Sequence, residues 1–202
     1  MSNKIGEFNL KLYPKNRAYQ ISLPDDEFMQ IVMFAYYFDR VVHTLSQQNR
    51  AMLIEAIYNT AYDFHETLFN DKNSDLKTLI KKALFDQFKN KKTVSEKVDF
   101  EVHGEYFRKG ESFFYLNTKY KPLIAKNVEV ESGAITTIMS YFDYLLENVS
   151  KLRIMFLIAM LKIMAETYIE SLNNKSLPGL NEVPAKGLNA ASEFIELVTK
   201  KA

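Results

Sequence analysis

One stretch of the chain, Ile154 to Leu161, carries no polar side chain over more than two turns of helix. A helix that is apolar on every side has to be covered on every side, either by its own core or by another copy. The stretch is too short to cross a bilayer, which takes about 20 apolar residues. We name five of its side chains the apolar belt and predict that they form a core helix or a self-association surface: Ile154, Met155, Leu157, Ile158 and Leu161.

Composition limits what the rest of the chain does. The 202 residues include no cysteine, which excludes disulfides, thiolate nucleophiles and cysteine-bound zinc. The formal net charge of +1 argues against a protein that binds nucleic acid with its whole surface. The first residues contain no apolar run of signal-peptide length, so we expect a cytoplasmic protein without a membrane span.

Hydrophobic periodicity predicts an α+β fold in one domain over residues 1–202. Alternating residues predict two antiparallel β-hairpins in one sheet, the first around residues 14–17 and the second over Val98 to Tyr120 with Arg108 and Lys109 in its loop. About five helices pack with them, including one long central apolar helix near residues 135–172. A C-terminal helix, residues 189–201, follows a loop rich in proline and glycine. No internal repeat is evident from the periodicity.

The sequence contains no phosphate-binding glycine loop, no zinc-protease motif and no serine-hydrolase motif. The absence of these motifs argues against an enzyme without excluding one, and no cofactor is expected. The best metal or acid–base cluster is Asp39, His43 and Glu55, because Asp39 and His43 are one helical turn apart and the next helix folds back beside them. The alternative is an ordinary charged rim along a helix pair, which we favour.

A lysine-rich segment predicts a third helix near residues 75–90. Lys81, Phe85 and Lys89 recur at helical spacing beside Lys82, and this pattern suits a polyanion such as nucleic acid. The loop residues Arg108 and Lys109 would extend the same basic surface. The alternative is a solvated lysine face near a helix C-terminus, where cations suit the helix dipole.

One face of the second hairpin brings aromatic side chains together. Phe113 and Tyr115 lie beside His103 in the predicted pairing, and an exposed aromatic pair on a sheet can stack a base or receive a peptide. The alternative, which we favour, is that a helix covers this face.

These observations lead to three hypotheses. The first is a non-catalytic intracellular protein that regulates or adapts through protein–protein contact and self-associates through the apolar belt. The second is a nucleic-acid or nucleotide-binding regulator that uses the lysine-rich helix. The third is a metal-dependent enzyme at the cluster of Asp39, His43 and Glu55.

Overall fold

The computed structural model describes residues 3–13, 18–23, 25–70, 100–109, 112–122 and 130–200. This part of the chain contains five helices: α1 (Glu27–Thr44), α2 (Gln47–Asn70), α3 (Val130–Asn148), α4 (Lys151–Asn173) and α5 (Glu182–Thr199). It also contains four strands: β1 (Asn3–Tyr13), β2 (Ala18–Ser22), β3 (Phe100–Lys109) and β4 (Ser112–Pro122).

The packed body is helical. Of the residues whose side-chain burial the structure describes, 80% lie in the five helices. Among them, Phe8 is the one buried hydrophobic residue that a strand supplies, and it packs against Tyr37 of α1 and Tyr141 of α3. The predicted α+β fold is therefore wrong for this body, which is all-α. Among the side chains that the structure describes, the helices cover one another's apolar faces.

The strands are described mainly by their backbone, which pairs in the order β2-β1-β3-β4, each neighbour antiparallel. The pairing of β3 with β4 differs from the predicted one. Val102 lies opposite Tyr120 rather than Leu116, and Lys109 pairs with Ser112, so Arg108 and Lys109 belong to the strand and not to the loop. A shift by an even number of residues leaves every side chain on the same face, so alternation does not distinguish the two registers.

The single long helix predicted near residues 135–172 is two helices. The chain leaves α3 after Asn148, and Ser150 adopts an extended conformation with φ −64° and ψ 158° before α4 begins. The periodicity continues across the break because only two residues separate the helices. The C-terminal helix also begins earlier than predicted, at Glu182. Proline is tolerated in a first turn, where its missing N–H has no partner to lose, so Pro184 does not exclude this start.

Two glutamates tie the helical hairpins together. Glu27, in the first turn of α1, accepts hydrogen bonds from the backbone N–H (3.2 Å) and the hydroxyl (2.9 Å) of Ser150, the residue before α4. Glu131, in the first turn of α3, accepts hydrogen bonds from the backbone N–H (3.0 Å) and the hydroxyl (2.8 Å) of Ser46, the residue before α2. It also accepts one from the side-chain amide of Asn49. Each carboxylate thus satisfies donors at the N-terminus of a helix in the other hairpin.

These reciprocal bonds belong to an internal repeat, which the periodicity failed to indicate. Residues 27–46 and 131–150 have equal length, and each begins with the bonded glutamate and ends with the bonded serine. Tyr37-Phe38-Asp39 recurs at the same position as Tyr141-Phe142-Asp143. The repeat is missed because the identical residues are sparse and because the apolar positions between them differ in kind.

The strands of the two repeats are also related to each other reciprocally. Each half contains a Gly-Glu-aromatic sequence, in β1 and in β3, and the two copies pair with each other about their shared glutamate: Gly6 with Tyr106, Glu7 with Glu105, and Phe8 with Gly104. The described residues therefore contain two similar halves, β1 to α2 and β3 to α4, and α5 follows the second half.

Replacing Glu131 with glutamine is expected to lower the free energy of unfolding by about 1 kcal/mol, the usual cost of losing a helix cap. The hydrogen bond from Asn49, followed by those from Ser46, holds the pKa of Glu131 below its ordinary value of 4.5. A carboxyl group with a lowered pKa stabilises the fold above its unfolded pKa, and this contribution is lost as the pH falls through the folded pKa. Chemical denaturation at pH 7 and pH 3 measures both effects. Glu193→Gln, on an exposed part of α5, is the matched control. A loss of unfolding free energy that is equal at pH 7 and pH 3 would contradict the role of Glu131 as a helix cap.

Candidate functional site

The most unusual polar group of the described helices is Asp39, which lies in the middle of the core. Its side chain is 0% exposed, and it follows an unbroken run of buried residues on α1. A buried carboxylate needs partners for both oxygens, because removing an ion from water costs several kcal/mol. The partners of Asp39 come from two other elements of the fold.

Each carboxylate oxygen of Asp39 accepts a hydrogen bond. The hydroxyl of Tyr168, fully buried on α4, donates to Oδ1. The backbone N–H of Asn181, in the loop between α4 and α5, donates to Oδ2 at 2.8 Å. Asp39 therefore joins α1 to α4 and holds the loop that leads into α5.

His43, one turn further along α1, makes a second contact with the same loop. Its Nδ1 lies 2.8 Å from the backbone oxygen of Asp39 and 3.4 Å from Asp39 Oδ1. Its Nε2 lies 3.0 Å from the backbone oxygen of Pro178. We name Asp39, His43 and Tyr168, with the loop atoms that they bind, the Asp39 cluster.

The electrostatics of the Asp39 cluster are dominated by burial. Burial raises the pKa of Asp39 above its ordinary value, although the hydrogen bonds from Tyr168 and Asn181 and the charges of His43 and Arg40 act in the opposite direction. Burial also raises the pKa of Tyr168 well above its ordinary value, and the neighbouring Asp39 carboxylate adds to this shift. Tyr168 therefore keeps its proton and serves as a hydrogen-bond donor across the ordinary pH range.

This arrangement positions a loop and leaves no carboxylate oxygen for a reactant. Both oxygens of Asp39 are engaged, and Tyr168 is fully buried. The third member of the predicted metal cluster, Glu55, is exposed on α2 and does not join them. Asp39 and His43 turn toward α4 and the loop, whereas the sequence prediction directed them toward α2. In the described part of the chain, no group of three or more histidines and acidic residues is placed to hold a metal ion.

The apolar belt lies inside the chain. Ile154, Leu157, Ile158 and Leu161 are buried, and Met155 is partly buried against the same core. These side chains therefore belong to the core of the chain, and self-association through this helix stays a prediction.

Side-chain contacts of the remaining candidate residues are not described, and the backbone register places His103 opposite Lys119 and Tyr115 opposite Phe107, so the predicted pair of His103 and Tyr115 is not formed. Lys81, Lys82, Phe85 and Lys89 lie outside the described residues. The other five lie in β3 or β4, where the structure describes the backbone and not the burial of their side chains: His103, Arg108, Lys109, Phe113 and Tyr115. The polyanion site and the aromatic ligand face stay predictions.

Sequence reasoning missed Tyr168 and Asn181 as partners of Asp39, and Pro178 as a partner of His43. No local spacing joins them, since they are more than 120 residues away along the chain. One signal was available. An aspartate that directly follows an apolar run on a helix is a candidate for burial, and a buried carboxylate requires donors from elsewhere.

The chain is without a match in each of three comparisons: the protein-family models, the curated proteins and the solved structures. Within the described ranges, no helix is long and apolar enough to cross a membrane.

Proposed function

We propose that this is a non-catalytic cytoplasmic protein that acts through protein–protein contact and that self-associates by exchanging α5 between copies. The observation that supports the proposal is the cover over the apolar stretch of α4. Part of that cover is α5, which follows α4 after a loop over residues 174–181. Exchange of an identical element between copies of a chain is a low-cost route to a dimer, because each contact is one that the monomer already makes.

The contact between α5 and α4 is close and apolar. Val183 and Ala191 of α5 are buried against the core. A Cβ atom on Gly187 would lie 2.6 Å from Cγ of Met164 and 3.2 Å from the backbone oxygen of Met160, so a side chain at position 187 fits only if Met164 moves or is replaced by a shorter residue. Such a fit favours α5, from the same chain or from a second copy, over an unrelated helix.

The connecting loop favours exchange. Lys175 and Asn181, near its two ends, have φ angles of 55° and 73°, in the left-handed region, which costs a lysine about 1 kcal/mol and which asparagine tolerates. Opening the loop relieves this strain and keeps the helix contacts if α5 docks on a second copy. Strained connections of this kind are known to promote domain swapping.

Two single-cysteine variants test the exchange, because the natural chain has no cysteine. Gly187→Cys and Met164→Cys are mixed at high concentration, incubated and oxidised. A disulfide between the two different chains forms only when α5 of one chain lies on α4 of the other, since the side chains must meet within about 4.5 Å between Cβ atoms. We expect this mixed dimer on a non-reducing gel, in an amount that rises with protein concentration.

The control replaces Gly187→Cys by Ala185→Cys, which places the thiol at an exposed position of the same helix. This variant should form little mixed dimer with Met164→Cys. A protein that stays monomeric in light scattering at every concentration, with no mixed dimer, would overturn self-association. Dimers in light scattering without the mixed disulfide would overturn the exchange of α5 and would direct attention to another surface.

A further inference from the structure

We propose that His43 makes the loop over residues 174–181 a pH-dependent latch, closed while the imidazole is protonated and weakened when the imidazole becomes neutral. The latch would act within one chain and does not depend on the exchange of α5 between copies. The evidence is the geometry at the two nitrogens of a single ring.

Both ring nitrogens of His43 face carbonyl oxygens. Nδ1 is 2.8 Å from the backbone oxygen of Asp39, and Nε2 is 3.0 Å from the backbone oxygen of Pro178. A carbonyl oxygen only accepts, so each nitrogen must carry a hydrogen for both bonds to form. Histidine has hydrogens on both nitrogens only as the imidazolium cation. In the neutral ring, one nitrogen lone pair would oppose a carbonyl lone pair.

The surrounding charges support the cation. Asp39 Oδ1 lies 3.4 Å from Nδ1, and the side chain of His43 is 20% exposed, so a proton can be exchanged with solvent. The other titratable or charged groups facing the Asp39 carboxylate are Tyr36 and Arg40 on α1 and Tyr168 on α4. Both tyrosines keep their protons because their pKa values are raised. His43 is the member of this set that needs hydrogens on both ring nitrogens to make its two carbonyl contacts.

Two side chains of α1 bind the loop: Asp39 accepts a hydrogen bond from the N–H of Asn181, and Nε2 of His43 faces the oxygen of Pro178. Two acceptors, the backbone oxygen and Oδ1 of Asp39, face Nδ1 of His43, so a neutral ring keeps its hydrogen on Nδ1. Nε2 then has no hydrogen, and the bond to Pro178 is lost. Loss of the positive charge also weakens the attraction between the ring and the Asp39 carboxylate that binds Asn181.

The second half of the chain does not reproduce this feature. The position of His43 in the repeat is taken by Glu147, which is exposed. Asp143 recurs without a histidine one turn later. The latch therefore belongs to the first half alone and governs the loop that leads into α5.

Amide hydrogen exchange of Asn181 tests the latch in the full chain. After correction for the intrinsic effect of pH, we expect its protection to fall about tenfold between about pH 5.5 and about pH 8.5, the loss of one charge-assisted hydrogen bond. The amide of Leu157 in the core should keep its protection over the same range, which separates opening of the loop from global unfolding. Nitrogen-15 spectra of the His43 ring should show two protonated nitrogens at the lower pH.

His43→Gln provides the decisive variant. Its side-chain amide can donate to Pro178 and cannot titrate, so the protection of Asn181 should no longer depend on pH. His103→Gln is the matched control and should keep the pH dependence of the natural protein. Equal protection of Asn181 at both pH values in the natural protein would overturn the proposal, as would an unchanged pH dependence in His43→Gln.

Discussion

Replacing Asp39 with alanine is expected to lower the free energy of unfolding by about 3–5 kcal/mol, the usual cost of removing one partner from a buried charged network. The substitution leaves the buried Tyr168 hydroxyl and the partly buried Asn181 N–H without their acceptor. Each buried donor that loses its partner costs about 1–3 kcal/mol. Denaturant titration followed by circular dichroism measures the change.

Asp39→Asn separates the hydrogen bonds from the charge. The asparagine oxygen can accept a hydrogen bond from Asn181, and its amide can donate to Tyr168 after the hydroxyl turns. The loss of unfolding free energy should therefore be well below that of the alanine variant.

Because burial raises the pKa of Asp39 above its ordinary value of 3.8, the folded state holds the proton of Asp39 more tightly than the unfolded state. The fold therefore loses stability as the pH rises through the folded pKa, and Asp39→Asn should lack this loss. Equal effects of alanine and asparagine would show that the hydrogen bonds contribute little.

Leu157→Ala is expected to cost about 3–5 kcal/mol because it opens a cavity in a core position that is fully buried within one chain. The matched control is Leu152→Ala, on an exposed position of the same helix, which should change the unfolding free energy by less than about 0.5 kcal/mol. Unfolding midpoints in denaturant, measured at two protein concentrations, give both values.

The concentration dependence decides what the belt does. If Leu157 packs within one chain, Leu157→Ala should lower the unfolding free energy by the same amount at both protein concentrations. A loss that appears only at high concentration would place this side chain between copies and would contradict the packing of α4 described above.

Local patterns predicted part of this fold and failed at particular places. The spacing of apolar residues indicates α1, α2 and the helical nature of residues 135–172, since each face recurs every 3.6 residues. The periodicity did not predict the break between the helices at Val149 and Ser150, because Glu27, which stabilises this break, lies in a different helix. Periodicity reports which residues face inward, and it does not report which distant carboxylate will satisfy a helix end.

The candidate site shows the same limit. The pair of Asp39 and His43 follows from helical spacing, and it is present. The third member of the cluster cannot be predicted from helical spacing. The packing of α4 and the loop before α5 determine which elements Asp39 and His43 face. Tyr168 and Asn181 are ordinary residues in the sequence, and they gain a role only through the burial of Asp39.

The two-fold repeat has a consequence for how this chain can vary. In a symmetric pair of identical chains, every substitution appears twice, and the pair separates on dilution. Here one polypeptide carries both halves, so they meet at a high effective concentration however dilute the protein is. Each half is then free to change alone. One such difference is His43, four residues after Asp39, where the second half has Glu147, four residues after Asp143. The difference is possible because each half has its own sequence within the same chain.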